Sequence, residues 1–451
     1  MEICHKRTNF YKDNKLVRKF DAKCVIIRLF NTVKRENLID IMKGYSSMNE
    51  NIESSQKFPM KKLLREEKRG VIAMNGCEEM GRRVNEYLMN WQVDATSDQK
   101  LHSFYGSDKN GFLLEAHCPR FGTGEGKGMI KDTVRGYDLF IICDVGAYQC
   151  TYKLYGREVP MTPDEHYADL KRIIAAVSGK AYRINVIMPM LYEGRQHRRT
   201  SRESMDCAVM LQELVAMGVS NIITFDAHDP RVQNAIPLSG FESIMPTYQM
   251  LKAMCHTYDD LRIDKHHMMV ISPDEGALNR NIYYSSAMGV DMGMFYKRRD
   301  YSRIVDGRNP IVAHEYLGTP VEGKDVFVAD DIISSGESVL DIAENVKARK
   351  ARRFFAYGTY AIFTNGLAKF DKAYEEGLID GIFGSNLTYL NPELKNRPWF
   401  HEVDVSKYIA YFISALNHDA SISSLLDPHA KIDALLQKRA LEKAKIIDEQ
   451  L

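Results

Sequence analysis

Between Asp325 and Ser338 the chain reads Asp-Val-Phe-Val-Ala-Asp-Asp-Ile-Ile-Ser-Ser-Gly-Glu-Ser. Four apolar residues, Val326 to Ala329, predict a buried strand. Asp330 and Asp331 follow at its carboxyl end, where open α/β sheets hold their ligands. Adjacent carboxylates can accept hydrogen bonds from two vicinal sugar hydroxyls. Ser334, Ser335, Gly336 and Ser338 then open a helix, and the free N–H groups and hydroxyls of such a start hold a phosphate. A capped βα turn would explain the serines, but not paired acids against a buried strand. The segment therefore predicts a loop for ribose 5-phosphate.

Four other segments carry reactive side chains. Arg195, Gln196, Arg198 and Arg199 follow an apolar strand ending at Pro189, and arginines there can meet a polyphosphate. A solvated basic turn is the plainer alternative. His228 follows the apolar run to Phe225 and is flanked by Asp226 and Asp229, which suits a metal ligand or a capping residue. Lys297, Arg298 and Arg299 precede about 25 residues containing Gly307, Pro310 and Gly318; loops that long inside a compact domain are functional or disordered. Arg120-Phe121-Gly122-Thr123-Gly124-Glu125 is a glycine hairpin that fits neither GxGxxG nor a P-loop: Lys127 is followed by Gly128, and Phe121 stands where the first P-loop glycine belongs.

The elements that must position these groups alternate. From Gly70 onward, strands are expected at 71–74, 112–116, 137–143, 184–189 and 221–225, with helices at 77–91, 167–177 and 204–217, the last capped by Ser204 and closed by Gly218. The alternation restarts with a helix at 246–258, a strand at 268–271, a helix at 275–288, strands at 290–295 and 325–329, a helix at 337–350, and strands at 354–360 and 381–384. Two consecutive strand–helix runs predict two similar doubly wound domains. The tail, 430–451, is an amphipathic helix candidate with Ile432, Leu435, Leu436 and Leu441 on one face, suited to a surface or oligomer contact.

A chain of 451 residues exceeds one typical core. A net charge of +1 provides no field for nucleic acid or membrane, so a substrate phosphate has to be held by local groups. Eight cysteines without a CxxC pair argue against a disulfide framework or zinc site. Without a signal peptide or a span-length apolar run, a cytoplasmic location is expected. Residues 1–65 are basic at first and then polar. They could be a disordered arm, a small folded extension, or upstream sequence before Met42 or Met48. A poorly ordered segment without catalytic duty is the favoured expectation.

The serine loop resembles the phosphoribosyl diphosphate loop of the phosphoribosyltransferase superfamily, an apolar strand with two acids, two apolar residues and Asp-Thr-Gly-x-Thr. Ser334 stands where the family has Asp, and Glu337 adds a negative charge. The other segments resemble ribose-phosphate pyrophosphokinases. The hairpin with its downstream Val134-Arg135-Gly136-Tyr137-Asp138 matches Arg-Phe-Ser-Asp-Gly-Glu, with Thr123 in place of Asp. Gly194-Arg195-Gln196-His197-Arg198-Arg199 matches Ala-Arg-Gln-Asp-Arg-Lys, and Asp226-Ala227-His228 matches Asp-Leu-His. Ser272-Pro273-Asp274-Glu275-Gly276-Ala277 matches Ser-Pro-Asp-x-Gly-Gly, and Tyr296-Lys297-Arg298-Arg299 matches Asp-Lys-Arg-Arg. Near the end, 384–388 and 403–406 follow Thr-Asn-Thr and Ile-Asp-Ile-Ser. The resemblance runs from about Gly70 to Asp427, while 146–165 is longer than usual.

That resemblance implies an α/β fold of two phosphoribosyltransferase-like domains, each a mainly parallel sheet flanked by helices. They would span 66–243 on the ATP side and 244–417 on the ribose-5-phosphate side, between an extension, 1–65, and a tail, 418–451. It implies a nucleotide-biosynthesis transferase making phosphoribosyl diphosphate and AMP from ATP and ribose 5-phosphate. Asp330 and Asp331 would take the ribose hydroxyls, and Ser334, Ser335, Gly336 and Ser338 the phosphate. Phe121, Glu125, Arg195, Gln196 and Arg199 would bind ATP, His228 and Asp274 would serve Mg²⁺, and Lys297 and Arg299 would act in catalysis. A hairpin reaching a neighbour's site requires at least a dimer, and the family suggests a hexamer. A non-catalytic regulatory homologue and a phosphoribosyltransferase are the alternatives.

Overall fold

The structure is a computed structural model that describes residues 68–95, 111–299 and 311–450, with the side chains of 92–95, 297–299, 311–314 and 441–450 left aside. The expectation for 1–65 lies outside the described residues.

In chain order the elements are β1 (Arg69–Ala73), α1 (Glu78–Ala95), β2 (Ala116–His117), β3 (Met129–Ile130), β4 (Asp138–Ile142), β5 (Thr151–Leu154), β6 (Arg157–Pro160) and α2 (Pro163–Val177). Then come β7 (Arg183–Ile187), α3 (Asp206–Ala216), β8 (Asn221–Phe225), β9 (Gly240–Ile244), α4 (Thr247–Thr257), β10 (Met268–Ser272) and α5 (Leu278–Met288). The last part holds β11 (Asp291–Arg299), β12 (Ile311–Leu317), β13 (Asp325–Ile333), α6 (Glu337–Ala348), β14 (Arg353–Ala361), α7 (Ala368–Glu375) and β15 (Gly381–Ser385). It closes with β16 (Phe400–Val403), α8 (Ser406–Asn417), α9 (Ser423–Leu426) and α10 (His429–Gln450).

Two large sheets result. The first, ordered β1-β4-β7-β8-β9, is parallel throughout. The second, ordered β12-β11-β10-β13-β14-β15-β16, is parallel except for the antiparallel β11–β12 pair. The cores of β4 in the first sheet and of β10 and β13 in the second are apolar on both faces, as parallel strands covered by helices require. In the second sheet β10 is flanked by β11 and β13, so the strand order reverses there. A crevice at the carboxyl ends of β10 and β13 is where such sheets take ligands.

One core runs through both sheets. Phe140, Ile187 and Phe225 of the first share a cluster with Phe327, Tyr357 and Phe383 of the second, sealed by Met250, Tyr284 and Ile409 from α4, α5 and α8. The outer face of the first sheet packs on α2 and α3, and that of the second on α6 and α7. In the tail, Ile432 of α10 is buried, and Arg439 donates to Tyr258 O (2.8 Å) and Asp259 O (3.1 Å) beyond the end of α4.

Several boundaries differ from expectation. Residues 112–116 form only a bridge between Leu113 and Val71 before the short β2. The helix expected from Ser204 begins at Asp206 after Met205, because the Ser204 hydroxyl is spent on Asp206 Oδ2 (2.5 Å) instead of a backbone N–H. The expected 25-residue loop contains a strand: β11 runs on through Arg299 and pairs with β12, Lys297 opposite His314, while 300–310 lie outside the described residues. Strands β9, β12 and β16 were not anticipated. No described helix is long and apolar enough to cross a membrane.

Candidate active site

The carboxyl ends of the two sheets face each other, and the acid pair, the histidine segment and the arginine segment meet there. Strand β13 continues past the expected end at Ala329 to Ile333, paired with β14 as far as Ala361. Asp330 and Asp331 are therefore held in a strand, not in the loop itself, and their backbones are fixed by the ladder. Asp331 is buried and its Oδ2 lies 2.8 Å from His228 Nδ1, beyond the end of β8. That bond joins the acid pair of the second sheet to the histidine segment of the first.

Arg280 of α5 completes the join. Its Nε donates to both oxygens of Asp226 (2.9 and 3.1 Å), while Nη1 lies 3.5 Å from Asp330 and 3.6 Å from Asp331. The Asp226 carboxylate also accepts from Thr359 Oγ1 of β14 (2.7 Å). Tyr360 Oη donates to Phe225 O (2.5 Å) and lies against Pro189 O. Burial opposes the Arg280 charge, but Asp226, Asp331 and Asp330 hold the guanidinium protonated. Burial also works against ionised Asp331, yet the His228 bond and Arg280 keep it well below the usual carboxylate range. Asp330 is pushed the other way, by burial and then by the charge of Asp331. The His228 ring is raised by its bond to Asp331 against the cost of burial. The pair thus presents one firmly ionised carboxylate and one that retains its proton more readily.

The serine loop leaves β13 directly. Gly336 has φ +78° and caps α6; a Cβ there would stand 2.2 Å from Phe370 Cζ in the core. Only glycine satisfies both the left-handed backbone and that approach. Ser334 Oγ is 3.3 Å from Thr364 Oγ1, and Ser338 lies exposed on the first turn of α6. The extra charge of Glu337 is turned to Lys369 (2.9 Å), which holds its carboxyl below the usual range. Gly336→Ala is expected to lose about 1–3 kcal/mol through overpacking, beyond its backbone strain, read as a lower urea midpoint.

The arginine segment sits beside this group. Arg195 and Arg199 are exposed, and Gln196 Nε2 donates to Ser204 O (2.8 Å). The Arg195 charge is felt at His228, whose ring lies 5.3 Å from that of His197. Asp274, at the turn after β10, accepts from the N–H groups of Gly276 (3.0 Å) and Ala277 (3.2 Å) and so shapes the entry to α5. Lys297 and Arg299 lie on β11 beside β10. Phe121 and Glu125 close a tight turn, Phe121 N donating to Glu125 O (2.8 Å), with Phe121 exposed. Among the described residues no three His, Cys, Asp or Glu side chains gather around one point. His228 and Asp274 do not form a preassembled metal shell; the carboxylates near His228 are the better chemical match for Mg²⁺, which prefers oxygen. Arg280, Asp226 and Thr359 went unassigned in the sequence.

A second cross-link lies away from this group. Buried Asp144, beyond β4, accepts from Gly146 N (2.8 Å), Thr388 Oγ1 (2.9 Å) and Tyr389 N (3.2 Å) beyond β15. Burial raises its carboxyl from 3.8 to about 6 despite those donors. The folded protein then binds this proton more tightly than the unfolded chain does. Its contribution to stability is greatest below pH 3.8, falls as pH rises towards 6, and is constant above that. The span corresponds to about 3 kcal/mol. Asp144→Asn should remove this slope, so the stability of wild type relative to the variant, measured in urea, should fall as pH rises from 4 to 7.

Paired α/β sheets with an acid–serine loop facing a basic segment define a phosphoribosyltransferase-type fold. A solved phosphoribosylpyrophosphate synthetase from Mycobacterium smegmatis shares it, with a TM-score of 0.62 at 17% identity over 78% of this chain and all of that one. A family model described as the N-terminal domain of ribose phosphate pyrophosphokinase matches residues 70–218. A ribose-phosphate pyrophosphokinase of Pasteurella multocida is 28% identical over 319 residues, 69% of this chain and 91% of that protein. One from Mycoplasma genitalium is 23% identical over 334 residues, 74% and 96% of the two chains. Along most of its length the chain is similar to ribose-phosphate pyrophosphokinases, a family of catalytic proteins, and residues 70–218 match that family's N-terminal domain.

Proposed function

We propose that this protein transfers the pyrophosphoryl group of ATP to the anomeric hydroxyl of ribose 5-phosphate, giving phosphoribosyl diphosphate and AMP. The observation that carries the reading is the 2.8 Å bond between His228 and Asp331, which sets the acid pair against the histidine segment, with Arg195 close enough for its charge to act on His228. In this reading the two sheets are the cores of two similar domains, 66–243 and 244–417, one for each substrate.

Ribose 5-phosphate lies with its diol at Asp330 and Asp331 and its phosphate at Ser334, Ser335, Gly336 and Ser338. ATP is bound by Arg195, Gln196 and Arg199, with Phe121 and Glu125 contributed by a neighbouring subunit of a homo-oligomer. The anomeric oxygen forms a bond to the β-phosphorus, the bond from that phosphorus to the bridging oxygen of the α-phosphate breaks, and AMP departs. The residues that would serve Mg²⁺ are His228 and Asp274 with the carboxylates beside His228, and the ion would supply neutralisation of phosphate charge. Lys297 and Arg299 stabilise the charge on the transferring group, so catalysis consists of positioning and electrostatics.

The test is to incubate the protein with ATP, Mg²⁺ and ribose 5-phosphate and to follow AMP and phosphoribosyl diphosphate together. Equal amounts of both are expected. Correctly folded protein that forms neither refutes the assignment; ATP binding without turnover would instead identify a regulatory homologue.

A further inference from the structure

Between β4 and α2, strands β5 and β6 form a hairpin whose contacts the reaction alone does not require. Strands β5 and β6 pair from Thr151–Pro160 to Leu154–Arg157 around a two-residue turn, Tyr155-Gly156, in which both residues have positive φ (47° and 76°). Such a turn follows strand twist and favours glycine or asparagine. A tyrosine there carries strain, and its side chain is 78% exposed. The base of the hairpin rests on its own apolar cluster, Ala147, Cys150 and Met161, with Tyr152 packed on it.

The tip is bound to the Phe121 hairpin. Tyr155 N donates to Gly122 O (3.1 Å). Gly124 has φ +93°, and a Cβ there would meet Leu154 Cδ1 at 2.7 Å, so Leu154 is seated on the turn. The Arg120 guanidinium lies 5.2 Å from the Tyr152 ring centroid. Arg120 is also locked at the root by Asp169 of α2 through two bonds (2.7 and 2.9 Å). The short Phe121 turn is thus held at its root by α2 and at its tip by the inserted hairpin.

We infer that the β5–β6 hairpin is a clamp that holds the Phe121 turn in one conformation and thereby sets affinity for the nucleotide. Tyr152, Leu154 and Tyr155 are positioning residues in this scheme, and the inference rests on the nucleotide role proposed for Phe121 and Glu125. A turn already ordered spares the ligand the cost of ordering it. Ribose 5-phosphate, bound at the second sheet, gains nothing from the clamp.

Leu154→Ser in the full chain tests this, with Leu154→Met as the conservative control. Amide hydrogen exchange at Phe121 and Gly124 should be about tenfold faster in the serine variant. The Kd for Mg-ATP, measured by calorimetry, should rise about tenfold, the change expected from mobilising one or two side chains. The Kd for ribose 5-phosphate should stay the same, and Leu154→Met should behave as wild type. Unchanged exchange overturns the clamp. Faster exchange with an unchanged Kd for ATP, or equal weakening of both ligands, overturns its effect on nucleotide affinity. A wild type that binds no ATP refutes the function proposed above and the affinity role with it, while the exchange result still judges the mechanical clamp.

Discussion

Arg280→Ala is expected to cost about 3–5 kcal/mol of stability, the range for removing one partner of a buried ion pair. The reason is what it leaves behind. Asp226 is buried and donated to by Arg280 and Thr359; Asp331 is buried beside His228; Asp330 is 3.5 Å away. One guanidinium answers three carboxylates from both sheets. Without it, burial pushes Asp226 further upward and the acid pair repels itself. Arg280→Lys would keep a charge but not the fork that reaches Asp226 through Nε and the pair through Nη1. Chemical denaturation at pH 7 checks both variants. A loss under 1 kcal/mol for the alanine variant would show that the network contributes little to holding the halves together.

Lys297→Ala should lower kcat by about 10²–10³-fold, the effect of deleting one preorganised group that stabilises developing charge. The fold should survive, because Lys297 belongs to the β11–β12 end of the sheet rather than to its centre. The informative measurement is kcat against KM for both substrates, together with a urea melt. A drop in kcat with little change in either KM matches an interaction made mainly in the transition state. Unchanged turnover would remove Lys297 from the catalytic group.

The site was legible where it is local. The acids, serines and Gly336 lie within nine consecutive positions, and strand, carboxylates and helix start each have a short-range signature. Arg280 had none. It sits within the Leu278–Met288 helix, and its importance comes from carboxylates 50 and 54 positions away, which only the meeting of two sheets supplies. Asp226 was visible in the histidine segment but had no reason to be preferred over Asp229. The Gly240–Ile244 strand was missed because Gly-Phe-Glu-Ser-Ile is short and lacks a β-branched run; pairing along Asn221–Phe225 decides it. The length of 146–165 could be read, but not that its tip would rest on Gly122.

The core shared by the two sheets has a practical consequence. A cut after Ile244 would leave Phe225 and Ile244 in one fragment, and Phe327, Tyr357 and Ile409 in the other, each facing water where its partner had been. Neither piece would make a dependable reagent for mapping which substrate binds where. Dissection of this protein is better done by point substitution in the intact chain, where the shared core stays covered.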